Sequence, residues 1–543
     1  MISYYFAYLL INFLLILHVS RVILYEVYLW QLKEYRFDRM MAHLSTFQGK
    51  RMLINPINIA KWIILAINII FLRSENVLLY LLLSLYIFET IYVFRKGIIR
   101  SFVFPIKTVK AMIICFLLFI ITYIFILNKP FPSILYIQIF DRVLPLIIII
   151  IIMAVSLISY IVKKIITYRA FRKISSSKNL TVIGITGSYG KTSTKEFLYS
   201  VLKTKYDVLK TEGSNNTEIG IAKTINNKLS PRNNIFIAEV GAYKIGEIAE
   251  ICQFIKPSIG IITGINEQHI QLFGCIDNTV KAKFELINNL NRNGIAILNI
   301  GNDYIEKKVI LIKTQKPDLK IYTYFVKRNT KHENYLTKKY PNSVIADNIK
   351  LFTNSTEFNL QYKDKQEKVR LKLIGAQNIE NLLSVYIISL HLGLTSKQII
   401  KAFNNLTAPD VTMKLTKIKG KNIIIDTFNA NPSGVFSALE YIRRIKGRKV
   451  LVLTPLIELG KEADNIHIKL GGKAAEVCDV IILTNNNYSK SFTYGASRVV
   501  GGENKIYLYN KKNTYNILDQ FNGINDVIIF QGKESGSILE ELL

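Results

Sequence analysis

The sequence predicts an α/β protein in three parts: an N-terminal bundle of about five transmembrane helices, a P-loop-type central α/β domain and a C-terminal Rossmann-like α/β domain. Three observations carry this. Apolar runs crowd the first third of the chain, at Ile2–Leu17, Ile57–Leu72, Val77–Phe94, Val109–Leu127 and Val143–Val162. From Leu180 short β-branched strands alternate with amphipathic helices. A second alternation of the same kind starts at Asn422. The boundaries fall at 1–168 for the transmembrane region, 169–179 for a basic, serine-rich linker, 180–408 for the central domain and 409–543 for the C-terminal domain.

Each apolar run approaches the ~20 residues that cross a bilayer, the first two being short unless flanking residues such as Arg21 snorkel. Four further runs after the first argue against a cleaved signal peptide ahead of a soluble protein. Basic residues alternate between loops. Lys33, Arg36, Arg39, Lys50 and Arg51 follow the first run; Arg95, Lys96, Arg100, Lys107 and Lys110 follow the third; Lys163, Lys164, Arg169, Arg172 and Lys173 follow the fifth. The loops Arg73–Asn76 and Asn128–Arg142 are short or poor in positive charge. The positive-inside rule then predicts a multi-pass protein of the cell (inner) membrane, with its N-terminus outside and everything after the fifth run cytoplasmic. Polar residues within the runs are few, so simple anchoring stands beside presenting a substrate or docking next to partner enzymes as the role of these runs. The formal charge of +31 comes from scattered lysines and juxtamembrane residues, which suits a lipid bilayer as partner and not nucleic acid. Four widely spaced cysteines suggest neither a disulfide framework nor a zinc site.

In the soluble part, strands are expected at Thr181–Thr186, Asn234–Val240, Ile259–Ile265 and Ile295–Asn299, with helices at Lys195–Leu202, Gly246–Phe254 and Thr279–Asn289. Alternating residues between Ser343 and Ile374 predict antiparallel strands, and a helical pair follows from Asn378 to Asn405. The second α/β unit has strands at Asn422–Asp426, Lys449–Thr454, Val480–Leu483 and Asp526–Phe530.

The segment Thr181 to Thr194 reads as a buried strand, a glycine-bearing turn, and Lys191 with Thr192 at the opening of a helix. A helix N-terminus offers backbone N–H groups to an anion; a lysine there reaches terminal phosphates and a hydroxyl holds Mg²⁺. The loop is shorter than the usual P-loop: isoleucine stands at position 185, and the spacing is Gly187-x-x-Gly190-Lys191-Thr192. Glu239 closes a hydrophobic strand, where a carboxylate can bind Mg²⁺ directly or through water. His269 follows another buried strand, and Lys281-Ala-Lys283 lies on the next helix. Taken singly, the histidine and the lysines read as ordinary surface residues.

Together the segments resemble the Mur ligases. The ordered motifs are Gly187-Ser188-Tyr-Gly190-Lys191-Thr192-Ser193, Asn215-Asn216-Thr-Glu-Ile-Gly220, Glu239-Val-Gly-Ala, His269 with Phe273-Gly274, and Lys281-Ala-Lys283. They continue as Gly375-Ala-Gln-Asn378-Ile-Glu-Asn381, Asp426-Thr-Phe-Asn429-Ala-Asn431-Pro432 and Glu458-Leu-Gly460 with His467, and cover the chain from Leu180 onward. The resemblance implies an ATP-dependent ligase that forms an amide through an acyl phosphate, most like the branch that adds a D-amino-acid dipeptide to a muropeptide in peptidoglycan synthesis. The acceptor is either UDP-linked or lipid-linked. Amide ligation in another surface polymer and a P-loop transport ATPase are the competing readings.

The resemblance also assigns roles. Gly187, Ser188, Gly190, Lys191, Thr192 and Ser193 would hold the ATP phosphates; Asn378, Asn381, Lys414 and Asp426 would line the nucleoside. Thr192 and Glu239 would bind one Mg²⁺, and His269 with a carbamylated Lys283 the second; Lys191, His269 and Lys283 would be catalytic. Asn215, Asn216, Asn429 and Asn431 would line the peptide and amine sites. Three departures stand out. Gln377 occupies a place usually held by histidine, Lys414 one usually held by arginine, and Thr454-Pro-Leu456 replaces a Gly-Asp-Met. The five apolar runs stand where the family has a UDP-binding domain.

Overall fold

The computed structural model describes residues 2–44, 55–70, 75–94, 103–128, 134–213, 215–327, 330–352, 355–407, 413–427 and 430–542. Asn429 and the loop residues Lys50, Arg51, Arg73, Arg95, Lys96 and Arg100 lie outside them. The chain divides into two compact units, 1–165 and 166–543.

The first unit is helical: α1 (Ile2–Leu32), α2 (Phe37–Leu44), α3 (Pro56–Ile70), α4 (Glu75–Phe94), α5 (Val109–Asn128) and α6, which begins at Ile134 and runs to Ser176. Ile11, Leu15, Val19, Ile23 and Val27 recur every fourth residue on α1, so they share one stripe. That stripe packs with Leu82 and Tyr86 of α4, Ile114 and Leu118 of α5, and Leu144 and Ile148 of α6. The outward faces are apolar as well, for example Phe13, Phe116, Ile150 and Met153. Helices apolar all round belong in a large core or in lipid. Three of them, at Leu9–Leu32, Val109–Asn128 and Ile134–Ser176, are long and apolar enough to cross a membrane, and Pro56–Ile70 and Leu79–Tyr92 are shorter apolar helices. The first apolar run was expected to end at Leu17; the helix continues to Leu32 because Val19, Val22, Ile23, Val27 and Leu29 extend the stripe past Arg21 and Glu26. The linker expected at 169–179 is helical as far as Ser176, and Ala170 and Ile174 are buried against Ile221 and Ile255 of the second unit's core.

The second unit carries two sheets. The elements of the first are β1 (Thr181–Thr186), α7 (Lys191–Leu202), β2 (Val208–Lys210), α8 (Glu218–Lys228), β3 (Ile235–Glu239), α9 (Glu247–Ile255) and β4 (Ile259–Ile262). There follow α10 (Ile270–Phe273), α11 (Ile276–Asn288), β5 (Ile295–Asn299), α12 (Asp303–Gln315), β6 (Lys320–Val326) and α13 (Lys331–Lys339). The last are β7 (Val344–Leu351), β8 (Thr356–Tyr362), β9 (Lys365–Leu371), α14 (Gln377–His391) and α15 (Ser396–Phe403). Nine strands form one sheet in the order β2-β3-β1-β4-β5-β6-β7-β8-β9. It is parallel as far as β7, and β8 and β9 add antiparallel. The central strands β3, β4 and β5 are buried at every residue, as a sheet covered by helices on both faces requires. Phe197, Leu198, Leu382 and Ile388 of α7 and α14 cover one face; Ile248, Ala282 and Leu286 of α9 and α11 cover the other. The edge strand β9 turns Lys365, Lys368 and Arg370 to solvent, and the opposite edge, β2, is three residues long.

The second sheet is built from β10 (Lys414–Ile418), β11 (Lys421–Asp426), α16 (Pro432–Ile442), β12 (Lys449–Leu453), α17 (Ala463–Val477), β13 (Val480–Leu483), α18 (Ser489–Ser497), β14 (Ile506–Leu508), α19 (Lys511–Asp519), β15 (Val527–Gln531) and α20 (Lys533–Leu542). Its order is β10-β11-β15-β12-β13-β14, with only β10 antiparallel. The strands read from the sequence are present in both sheets; β2, β6, β10 and β14 are additional. Helix α7 starts four residues earlier than expected, at Lys191, so Lys191 and Thr192 lie in its first turn.

Candidate active site

β1 ends at Thr186 and α7 opens at Lys191, which puts the Gly187–Gly190 turn at the carboxyl edge of the first sheet. This is where open α/β sheets bind ligands. Gly190 has φ 77°, and a Cβ there would lie 2.5 Å from Asn381 Oδ1; a Cβ on Gly187 would lie 2.1 Å from Thr263 Oγ1. Only glycine fits either position. No side chain caps α7, so its first-turn amides, with half-buried Ser193 among them, are left for an anion.

Lys191 folds back over the turn, Nζ donating to Gly187 O at 2.6 Å and Ser188 O at 3.4 Å. Burial pushes its ammonium below the usual lysine range, and the Glu239 carboxylate opposes that shift. Glu239 is the hub. Thr192 Oγ1 donates to its two oxygens at 3.2 and 3.1 Å, Asn216 Nδ2 donates at 3.3 Å, and Lys195 Nζ pairs with Oε2 at 3.0 Å. Lys195 also donates to Gly213 O. Asn215 braces the same loop through its backbone N–H to Glu212 O at 2.9 Å.

Of the two α14 asparagines, Asn381 lies against Gly190 of the turn, whereas Asn378 bonds within its own segment. Asn381 Oδ1 accepts from Thr194 Oγ1 at 3.2 Å, while Asn378 Nδ2 donates to Ile374 O at 3.0 Å. Beside them Gln377 leaves a buried Oε1 without a hydrogen-bond partner.

The second sheet contributes Asp426 at the end of β11, where it accepts from Gln531 Nε2 at 3.0 Å. Burial lifts its carboxyl to about 6. Lys414 opens β10, paired in register with Ile425. Asn431 caps α16, accepting from Gly434 N at 3.1 Å, and accepts again from Asn266 Nδ2 at 3.2 Å. Asn266 in turn donates its backbone N–H to Ser188 Oγ at 3.2 Å. A hydrogen-bonded chain therefore runs from the Gly187–Gly190 turn through Asn266 to Asn431, at the start of α16.

His269, with φ 63°, pairs through Nδ1 with Glu458 of the C-terminal part, itself at φ 64°. Lys283 is buried on α11, its Nζ 5.7 Å from the Phe273 ring centroid. Burial, with Lys191 adding repulsion, pushes its ammonium down to about 7. The donor chemistry differs between the two metal positions read from the sequence. Thr192 and Glu239 supply hard oxygens of the kind Mg²⁺ prefers. An imidazole and an uncharged amine do not, so the His269–Lys283 position fits Mg²⁺ only if Lys283 carries oxygen. His467 is a structural residue: Nδ1 bonds Ala463 O at 2.6 Å, and Nε2 accepts from Leu456 N at 3.1 Å.

Lys195 and Asn266 emerge only from the fold, and Glu458, part of the Glu458-Leu-Gly460 motif, gains its partner only there: the partners are 44, 165 and 189 residues away, at Glu239, Asn431 and His269.

Two family profiles match this unit: the Mur ligase middle domain over residues 185–389, and the Mur ligase glutamate ligase domain over 413–533. The chain is 29% identical to a UDP-N-acetylmuramoyl-tripeptide–D-alanyl-D-alanine ligase of Escherichia coli, covering 58% of this chain and 67% of that one. It is 28% identical to the protein of the same name in Bacillus subtilis, covering 58% and 62%. Among solved structures, MurF from Acinetobacter baumannii superposes with a TM-score of 0.61 at 23% identity, over 70% of this chain and 80% of that chain. MurF ligase from Thermotoga maritima in complex with ADP gives 0.59 at 23% identity, over 70% and 82%. The chain thus spans about two thirds of the length of these curated relatives, and through its middle and C-terminal domains it belongs to the Mur ligase family.

Proposed function

We propose that the chain is an ATP-dependent amide ligase that joins D-alanyl-D-alanine to a muropeptide tripeptide, as its curated relatives' names describe for them. The observation that carries this is the Thr192–Glu239 oxygen pair at the mouth of an uncapped, glycine-bounded loop within a Mur ligase middle domain. In the reaction, a substrate carboxylate oxygen attacks the γ-phosphorus and ADP leaves. The amine then attacks the acyl carbon, phosphate leaves, and the amine loses a proton. The first step brings two anions together, so cations must offset their repulsion. Lys191 and the α7 amides hold the phosphates. Thr192 and Glu239 hold one Mg²⁺, which neutralises charge on the phosphate oxygens when bound. A carbamate on Lys283 would give His269's neighbourhood the oxygens a second Mg²⁺ needs; the lowered ammonium leaves free amine near neutral pH to take up CO₂. Asn378, Asn381, Lys414 and Asp426 line the nucleoside, and Asn215, Asn216, Asn429 and Asn431 the peptide and amine.

The domain limits 180–408 and 409–543 complete this reading. Helices α1 and α3 to α6 are read as membrane spans of a multi-pass inner-membrane protein, with the N-terminus outside and the ligase cytoplasmic. The apolar outward faces of the first unit support this. A lipid-linked acceptor then competes with a UDP-linked one. Offering both tripeptides with ATP, Mg²⁺ and D-alanyl-D-alanine, and weighing products by mass spectrometry, tests the function. Dipeptide addition to either acceptor is expected; ATP hydrolysis with no amide product would overturn it. Lys283→Ala should lose activity and regain part of it with short-chain carboxylates.

In CO₂-free buffer, where its amine is uncarbamylated, Lys283 also predicts a pH signature in stability. Its ammonium is held near 7 in the folded chain and titrates near 10.5 when unfolded. Between those values the unfolded state binds more protons, so this group makes stability rise with pH, by up to about 1.4 kcal/mol per pH unit. Lys283→Met removes the buried ammonium. It should therefore be more stable than the parent at pH 6, with the gap shrinking as pH rises from 7 toward 10. A gap in urea unfolding that is constant over this range would refute the assignment.

A further inference from the structure

Within the first unit, six polar and charged side chains from four helices meet. His18 of α1 sets Nδ1 3.0 Å from Glu89 Oε1 on α4 and Nε2 2.9 Å from Asp141 Oδ1 on α6. Lys61 of α3 lies 2.9 Å from Glu89 Oε2 and 3.3 Å from Asp141 Oδ2. Arg21 reaches Glu89 at 2.5 Å, and Arg142 reaches Asp141 at 2.7 Å. The Lys61 and Asp141 side chains are 2% and 3% exposed. Ionisable groups among apolar helices are expensive, and they mark functional sites more often than architecture.

Two features show what the cluster lacks. The first is charge: among the described residues, Arg21, Lys61 and Arg142 pair with Glu89 and Asp141 alone, three cations to two carboxylates even before His18 is counted. Buried charge of one sign is costly without a partner. The second is hydrogen bonding. Gln138 and Arg142 are four residues apart on α6 and so share a face. Gln138 accepts from Asn68 Nδ2 at 2.9 Å, but its own Nε2 is buried without a partner, and so is Arg142 Nε. Gln138 is 3% exposed, and the Arg142 side chain 10%. Both unmet groups are donors, beside a cationic surplus. An acceptor-rich anion would satisfy all of this, and the planar fork of Arg142 suits phosphate.

We propose that this cluster binds a phosphate-class oxyanion, supplied either by the headgroup of a lipid phosphate or by free phosphate. The site rests on the reading of the first unit as a membrane bundle, and gives that bundle a task beyond anchoring. The test uses the full chain in phosphatidylcholine nanodiscs, titrated calorimetrically with farnesyl monophosphate, farnesol and inorganic phosphate. Farnesyl phosphate should bind saturably and at least tenfold more tightly than farnesol. Arg142→Lys keeps the pairing charge for Asp141 but loses the fork; Gln138→Leu removes one unmet donor and no charge. Each should weaken binding at least fivefold while ATP binding by the same preparation holds. Inorganic phosphate binding with the same losses would support the site and assign free phosphate as its source. Absence of saturable binding by either phosphate, or affinities unchanged in both variants, would overturn the proposal. Protease protection of the same chain in sealed vesicles separates the two readings. A chain that does not insert sinks the membrane bundle, whereas an inserted chain that binds no phosphate sinks only the site.

Discussion

Glu239→Ala is expected to lower the unfolding free energy by about 3–5 kcal/mol, the usual cost of stranding a buried charge. Glu239 is 1% exposed and Lys195 is fully buried, so the alanine leaves an ammonium without water and with only the more distant Glu196 carboxylate, 3.7 Å away and partly exposed, beside it. Carbonyl acceptance from Gly213 O cannot replace a formal counter-charge. Glu239→Gln keeps the shape and an acceptor oxygen, and should lose less stability while still losing Mg²⁺-dependent turnover. Adding Lys195→Met to Glu239→Gln should then restore part of the lost stability, since the pair is coupled and methionine removes the ammonium that the neutral glutamine no longer balances. Urea unfolding of the three variants measures this. A loss under about 1 kcal/mol for Glu239→Ala would show that Lys195 does not depend on this carboxylate.

Lys191→Met is expected to cut ATP-dependent ligation by about 10²–10³-fold, the range seen when one charge-stabilising donor is removed from a transition state. Its effect on stability should be opposite in kind. The buried ammonium meets only the carbonyls of Gly187 and Ser188 within hydrogen-bond reach, so methionine removes a desolvated charge and costs the fold within about 1 kcal/mol. A variant that folds like the parent and fails in catalysis separates this lysine from Lys195, four residues on, whose expected defect is in folding. Turnover within threefold of the parent would rule out a phosphate-holding role for Lys191.

The contrast between these two lysines shows where the sequence was legible. Lys191 follows a glycine turn after a buried strand, and that local order alone marks it. Lys195 has no such mark; on a helix it looks like a solvated charge until β3 brings Glu239 against it. The strands β1, β3, β4 and β5 are continuous apolar runs, and burial on both faces makes such runs easy to read. β2 and β14, at three residues each, are too short to show a period. β6, from Lys320 to Val326, carries the β-branched and aromatic residues of a strand and could have been found by composition. The N-terminal cluster was hidden for another reason. Each helix shows one or two polar interruptions, so polar residues are few in any one run. Only packing sums them.

The two ends of the first sheet bear on how the protein tolerates its own company. An open strand edge is a template for another chain, and crowding raises the rate at which copies meet it. Here one terminus of the sheet is three residues long and the other displays Lys365, Lys368 and Arg370. Copies approaching β9 would have to desolvate Lys365 and the Lys368 and Arg370 pairs with Glu357, while β2 is too short to seed a register. Copies at high local concentration would therefore remain separate, where a long bare sheet edge would be drawn into polymer.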